Sequence, residues 1–127
     1  MSTMPHPSFD HYWDMWNETD LDAVRGHLDQ AVTDDFIFCD PLHFHVGRDA
    51  LEANVRGFRT EQPLAEFTFG SGIDSHHNRY RYEWHLSRRG RVLVRGFDVV
   101  TVAESGLIER IDGFFGPLPG LEATPPV

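Results

Sequence analysis

The carboxylate of Asp40 closes the run Asp34-Asp35-Phe36-Ile37-Phe38-Cys39-Asp40-Pro41, which is two acids, an apolar stretch, then an acid fixed in front of a proline. The apolar stretch belongs inside a fold, and the proline restricts the backbone of the residue before it, so Asp40 sits where a buried segment meets a turn. Two chemistries suit a carboxylate there. It can form the turn by accepting backbone amides, or it can stand at the mouth of a cavity with its pKa raised by burial, able to move a proton. A possible counter-charge is Arg95, between Val94 and Gly96 in a strand-like run. An even-numbered loop across Arg89-Gly90, or across Ser87 to Gly90, puts Arg95 on one face with Tyr80, Tyr82, Trp84, Leu93, Phe97 and Val99. That face is strongly apolar and is the expected inner one, so an arginine on it needs an anion: Asp40, another acid or a substrate. The opposite face then carries Arg79, Arg81, Glu83, His85 and Asp98 as a solvated or subunit-facing surface. An odd loop or a bulge instead brings Glu83 and His85 beside Arg95. The even loop is the expectation adopted.

The remaining reactive side chains point to less. His43-x-His45 and His76-His77 could share a metal, but no carboxylate or cysteine follows at a ligand spacing. Exposed loop histidines and no metal site are expected. The single cysteine, Cys39, has no internal disulfide partner and reads as a buried inert thiol, which fits a reducing cytoplasm.

The elements that must position these residues follow from periodicity. Phe9, Tyr12, Trp13 and Trp16 repeat as one face of a helix over about 9–16, with Ser8 as its cap. Thr19 caps a second helix that carries Leu21, Val24, Leu28 and Ala31 inward. Phe36 to Cys39 is a short strand. A third helix starts near Asp49 with Leu51, Val55 and Phe58 on its apolar side, and ends at Gln62-Pro63. The rest reads as strands over Ala65–Ile73, Arg79–Leu86, Val92–Val102 and Leu107–Phe115, joined by short turns. Alternation on the last strand groups Ile111, Gly113 and Phe115 on the inner face. The tail Pro117–Val127 holds four of the eight prolines and is expected to be loose. Helices followed by hairpin-connected strands make an α+β fold with an antiparallel sheet. A long twisted sheet curls, and helices close one mouth of the curl into a cone with a cavity.

At 127 residues the chain supports one domain with one core, residues 1–127. A net charge of −9 disfavours nucleic acid and anionic membrane as partners. No apolar run reaches the ~18 residues that a membrane span needs. Met1 to Pro7 carries neither the basic region nor the apolar core of a secretory leader.

Several stretches together resemble the nuclear-transport-factor-2-like superfamily. Trp16-Asn17-Glu18-Thr19-Asp20-Leu21-Asp22-Ala23-Val24 resembles its first helix–helix junction. Thr33 to Pro41 resembles its first strand, and Gly47-Arg48-Asp49-Ala50-Leu51 the start of its third helix. Arg95-Gly96-Phe97-Asp98-Val99-Val100 and Gly106-Leu107-Ile108-Glu109-Arg110 resemble its last two long strands. The likeness spans residues 8–116 and is strongest to the SnoaL-like polyketide cyclases, which also resemble ketosteroid isomerases. The fold hosts many chemistries and some proteins with none. The resemblance implies a base at Asp40, which like the isomerase base precedes a proline, and an oxygen-binding tyrosine at Tyr12, otherwise a core aromatic. Where the isomerase keeps a second, protonated acid, the matching position is Arg95. A guanidinium is not a neutral acid donor, though its charge can stabilise an enolate. An epoxide-hydrolase-like Asp–Arg–Asp set fits Arg81-Tyr82-Glu83 only with a one-residue gap, and Gly113 stands where its other acid belongs.

The expected protein is a homodimer, paired through the outer face of the sheet. It is a cofactor-independent isomerase or cyclase that abstracts a proton α to a carbonyl of a small, apolar, oxygenated molecule. Asp40, Tyr12 and Arg95 are its expected catalytic groups. Trp16, Phe58, Tyr82, Trp84, His85, Phe97, Ile111 and Phe115 are its expected substrate-binding wall. A non-catalytic binding or accessory protein with the same cavity is the alternative.

Overall fold

The computed structural model describes residues 4–123. Three helices, α1 (Pro7–Asn17), α2 (Val24–Ala31) and α3 (Arg48–Glu61), lie against one open sheet. The strands are β1 (Val32–Cys39), β2 (Phe44–Val46), β3 (Ala65–Phe69), β4 (Asp74–His76), β5 (Arg79–Arg88), β6 (Arg91–Val102) and β7 (Ile108–Phe115). Their order is β2-β1-β7-β6-β5-β3, with β4 pairing β5 further along its length. Register shifts in the β1/β7, β5/β6 and β6/β7 pairs add bend and twist, and the sheet curls around the helices as an α+β cone.

The expected elements form, with local differences. Pro7 opens α1, where its missing N–H costs nothing, and the Ser8 hydroxyl donates to the Gly106 carbonyl at 2.7 Å rather than capping the helix. Asp20, not Thr19, caps the second helical segment by accepting from the Asp22 amide at 3.0 Å. That segment begins as a 3-10 turn, Leu21–Ala23, before α2. The strand expected over Ala65–Ile73 is interrupted by Gly70-Ser71-Gly72, leaving β3 and β4. The sheet is mixed rather than purely antiparallel, because β1 runs parallel to β7, with Phe38 opposite Ile111. The direction of β7 is set by its hairpin with β6, and β1 joins its free edge. Of the expected loose tail, Leu121–Ala123 forms a short 3-10 turn, and residues 124–127 lie outside the described residues, as do residues 1–3.

Burial of one apolar stripe per helix holds the layers together. Phe9, Tyr12 and Met15 of α1, Val24 and Leu28 of α2, and Leu51 and Val55 of α3 pack on Phe36, Val100, Ile108 and Ile111 of the sheet. Polar anchors fix the layers in register. Asn17 acts as an extra strand residue: its amide donates to the Phe67 carbonyl at 3.0 Å and accepts from the Phe67 amide at 2.7 Å. The buried Arg59 guanidinium donates to the carbonyls of Trp16, Pro63 and Ala65 at 3.4, 3.0 and 2.7 Å. The open end of α1, the end of α3 and the start of β3 therefore meet at one side chain. Among the described residues, no helix is long and apolar enough to cross a membrane.

Candidate active site

Between the helices and the inner face of the sheet lies a cavity of about 240 Å³. Helix α1 presents Tyr12, Trp13 and Trp16 to it, and α3 presents Asn54 and Phe58. Their spacing of three or four residues places each set on one side of its helix. The strands add Phe38, Phe67, Trp84, Leu86, Val94 and Phe115. Gly113 leaves space on β7, and Asp40, Leu42 and His43 form part of the rim.

Asp40 serves two purposes. Pro41 and Leu42 make a tight turn, closed by the Asp40 amide donating to the His43 carbonyl at 3.0 Å. Asp40 Oδ1 accepts from the Leu42 and His43 amides at 2.9 and 2.8 Å, and lies 3.1 Å from His43 Nδ1. Oδ2 has no hydrogen-bond partner among the described residues. One oxygen therefore fixes the turn while the other remains available, so the turn-forming and cavity-lining roles occur in the same side chain.

The second acid of the cavity is Asp98. Its Oδ2 accepts from the Tyr82 hydroxyl and its Oδ1 from the Trp84 indole N–H, both at 3.1 Å. The side chain is half-buried and lines the cavity. Burial pushes its pKa from 3.8 up to about 7; the two donors pull it down, and the Asp40 charge pushes it further up. The acids meet over Gly113, where a Cβ would lie 3.0 Å from Asp98 Oδ1 and 3.4 Å from Asp40 Cβ. Tyr12 stands close to both. Burial raises its phenol well above the usual range, and the Asp98 and Asp40 charges add to the rise against a hydrogen bond with Trp16. Tyr12 is therefore a proton donor at neutral pH.

One inserted residue accounts for the position of Asp98. Arg89 and Gly90, both at positive φ (51° and 78°), form a two-residue turn, so the loop is even as expected. Ser87 then pairs with Val92, but Leu86 pairs with Val94, and Leu93 is the extra residue of a bulge. Beyond it every β6 side chain changes face. Trp84 stands opposite Gly96 and Tyr82 opposite Asp98, so Gly96, Asp98 and Val100 point inward. Arg95 is exposed and lies opposite His85, and Phe97 stacks on Phe114 on the outer face with ring centroids 5.0 Å apart. The expected grouping of Arg95 with Tyr82 and Trp84 is thus reversed. Gly96 is required at its position: a Cβ would come within 2.3 Å of the Trp84 ring and 2.5 Å of the Phe114 carbonyl.

The sequence pattern of the SnoaL-like domain matches residues 9–111, most of the chain. The chain belongs to the SnoaL-like family. Among solved structures, an isomerase candidate of the SnoaL-like family from Agrobacterium tumefaciens strain C58 is 29% identical, with a TM-score of 0.80 over 87% of this chain and 95% of that one. An NTF2-like protein of unknown function from Exiguobacterium sp. 255-15 is 18% identical, with a TM-score of 0.72 over 87% and 99% of the two chains. A candidate SnoaL-like polyketide cyclase from Jannaschia sp. CCS1 is 13% identical, with a TM-score of 0.65 over 91% and 90%. The last two likenesses concern the fold alone. No curated protein sequence matches the chain.

In this SnoaL-like domain the cavity gathers Asp40, Tyr12, Trp16, Phe58, Trp84 and Phe115 from among the expected site residues. Tyr82 is buried behind the wall and reaches the site through its bond to Asp98, and Ile111 lies in the core beneath it. Arg95, His85 and Phe97 are on the outer face. Asp98 and Asn54 line the cavity, and sequence reasoning missed both. A signal for Asp98 existed, since it is the one acid within the apolar run Val92–Val102.

Proposed function

We propose that this SnoaL-like protein is a cofactor-independent enzyme that moves a proton on a small, apolar, oxygen-bearing molecule. Asp40 Oδ2 removes a proton α to a carbonyl. Tyr12 and the protonated form of Asp98 hydrogen-bond the oxygen on which enolate charge develops. The pair of acids carries this reading. Two acidic side chains flank Gly113 in an apolar cavity, and burial raises the Asp98 pKa to about 7. A neutral carboxylic acid has one O–H to give to an oxyanion. Arg95 has no part in it.

A test that needs no natural substrate uses 2-tetralone, a neutral two-ring ketone, and follows exchange of its α-hydrogens in D₂O by NMR. Catalysed exchange in the wild type and its loss in Asp40→Asn, with fold retained, is the expected result. Exchange by Asp40→Asn at the wild-type rate would refute the role of Asp40. The alternative, a non-catalytic binding protein, draws on the engagement of Asp40 Oδ1 in the turn, and no exchange by the wild type would favour it. A homodimer through the outer sheet face belongs to the same proposal, supported by the exposed Phe114, Leu93 and Val92 on or beside that face.

A further inference from the structure

We propose that the cavity selects neutral, flat molecules of one or two rings carrying a single enol or ketone oxygen. This deepens the reading above and rests on it for the direction in which the oxygen points. Three independent observations carry it: size, charge and wall chemistry.

The volume of about 240 Å³ lies above the ~150 Å³ that accommodates one benzene ring and below the ~300 Å³ at which pockets for drug-sized molecules begin. One ring fits with space to spare, two fused rings fill the space, and four exceed it. The limit is built in. Trp84 is packed against the backbone at Gly96, so it cannot retreat, and Phe115 closes on Trp84 edge to face at 5.9 Å.

Charge excludes a second class. The chain has no lysine, and among the described residues no arginine lines the cavity; the titratable groups there are Asp40, Asp98, Tyr12 and the rim histidine His43, 3.1 Å from Asp40. A carboxylate, phosphate or thioester-linked nucleotide entering it would meet the Asp40 charge and no arginine, in a setting where an unpaired charge is costly. The ligand is therefore neutral, and its oxygen bonds the donors at one end.

The walls favour a flat π system. Half of the sixteen lining residues are aromatic. They meet mostly edge to face, as in Trp16–Phe67 at 5.5 Å and 65° and Phe67–Trp84 at 5.8 Å and 72°. Such a wall offers ring faces and ring edges at once, and a flat unsaturated ring gains from both beyond the area it buries. All three tryptophans of the chain line the cavity, so each indole N–H reports on occupancy.

The experiment titrates the full chain with 2-naphthol, 2-naphthoate and 1-hydroxypyrene, reading the three indole N–H signals by NMR. These probes share the flat aromatic scaffold and differ in charge or size. The expected result is that 2-naphthol binds at least tenfold tighter than either other probe. Phe115→Ala, which opens one wall, should narrow the gap between 2-naphthol and 1-hydroxypyrene. Equal binding of 2-naphthoate or 1-hydroxypyrene by the wild type, or no indole shift with 2-naphthol at millimolar concentration, overturns the proposal. Tight 2-naphthol binding without exchange of 2-tetralone would sink the enzymatic reading and leave this one standing. Exchange of 2-tetralone together with equal binding of the larger or anionic probe would do the reverse.

Discussion

Asp98→Asn separates the stability of the fold from the chemistry of the cavity. The carboxyl has a pKa of about 7 in the folded protein against an ordinary 3.8. The folded state therefore holds a proton over a pH range in which the unfolded state has lost it, so stability falls as pH rises between these values. Stability from this group is fully present below the unfolded pKa and is lost as pH climbs through the folded one. A tenfold change in proton affinity corresponds to about 1.4 kcal/mol. From about pH 5 to about pH 8 the loss is therefore about 2–3 kcal/mol before screening by cavity water. Asparagine carries no ionisable group, and it fits the site. Its Oδ1 accepts from the Trp84 indole, which only donates, while its amide donates to the Tyr82 oxygen, which can do either. Urea unfolding of both proteins at the two pH values isolates the effect. The stability of the variant relative to wild type should rise by about 2 kcal/mol from the lower pH to the higher. Parallel pH profiles would refute the burial of an ionisable Asp98. The proposed catalysis should weaken above about pH 7, as the O–H on Asp98 is lost.

Other perturbations test neighbouring parts of the structure. Tyr82→Phe removes a donor that lowers the Asp98 pKa, so the carboxyl should titrate above 7 when followed by carbon NMR. Gly96→Ala forces a methyl group against the Trp84 ring and the Phe114 carbonyl; a loss of about 3 kcal/mol or more is expected in thermal unfolding. Arg59→Ala removes three hydrogen bonds to carbonyls, one of them to the buried Ala65 oxygen. It should cost about 3 kcal/mol or more in urea unfolding, with Arg59→Lys recovering part of the loss.

Local encoding decided which features were legible in the sequence. Tyr12, Trp13 and Trp16 repeat at helical spacing, and the same side chains line the cavity. Asp40 before Pro41 marks a strand end within a few residues of chain. The inner face of β6 was not legible, because alternation carries face information only while the register holds. The Leu93 bulge breaks that register between the turn and Asp98, and nothing in Val92-Leu93-Val94 distinguishes the inserted residue from its neighbours. The same slip moved Arg95 from the expected inner face to the outer one. The parallel pairing of β1 with β7 was hidden for a different reason, since it joins segments about seventy residues apart and leaves no periodic trace in either.

That pairing also sets the order in which the site can come into being. β7 lies in the middle of the sheet, with β1 on one side and β6 on the other. Without it the sheet is two pieces, one holding Asp40 and the other Asp98. The helices and the β5/β6 and β6/β7 hairpins depend on short-range contacts, which form early, whereas pairing of β1 with β7 closes a loop of about seventy residues, a slow kind of step. The two acids therefore share one sheet only when β1 has paired with β7.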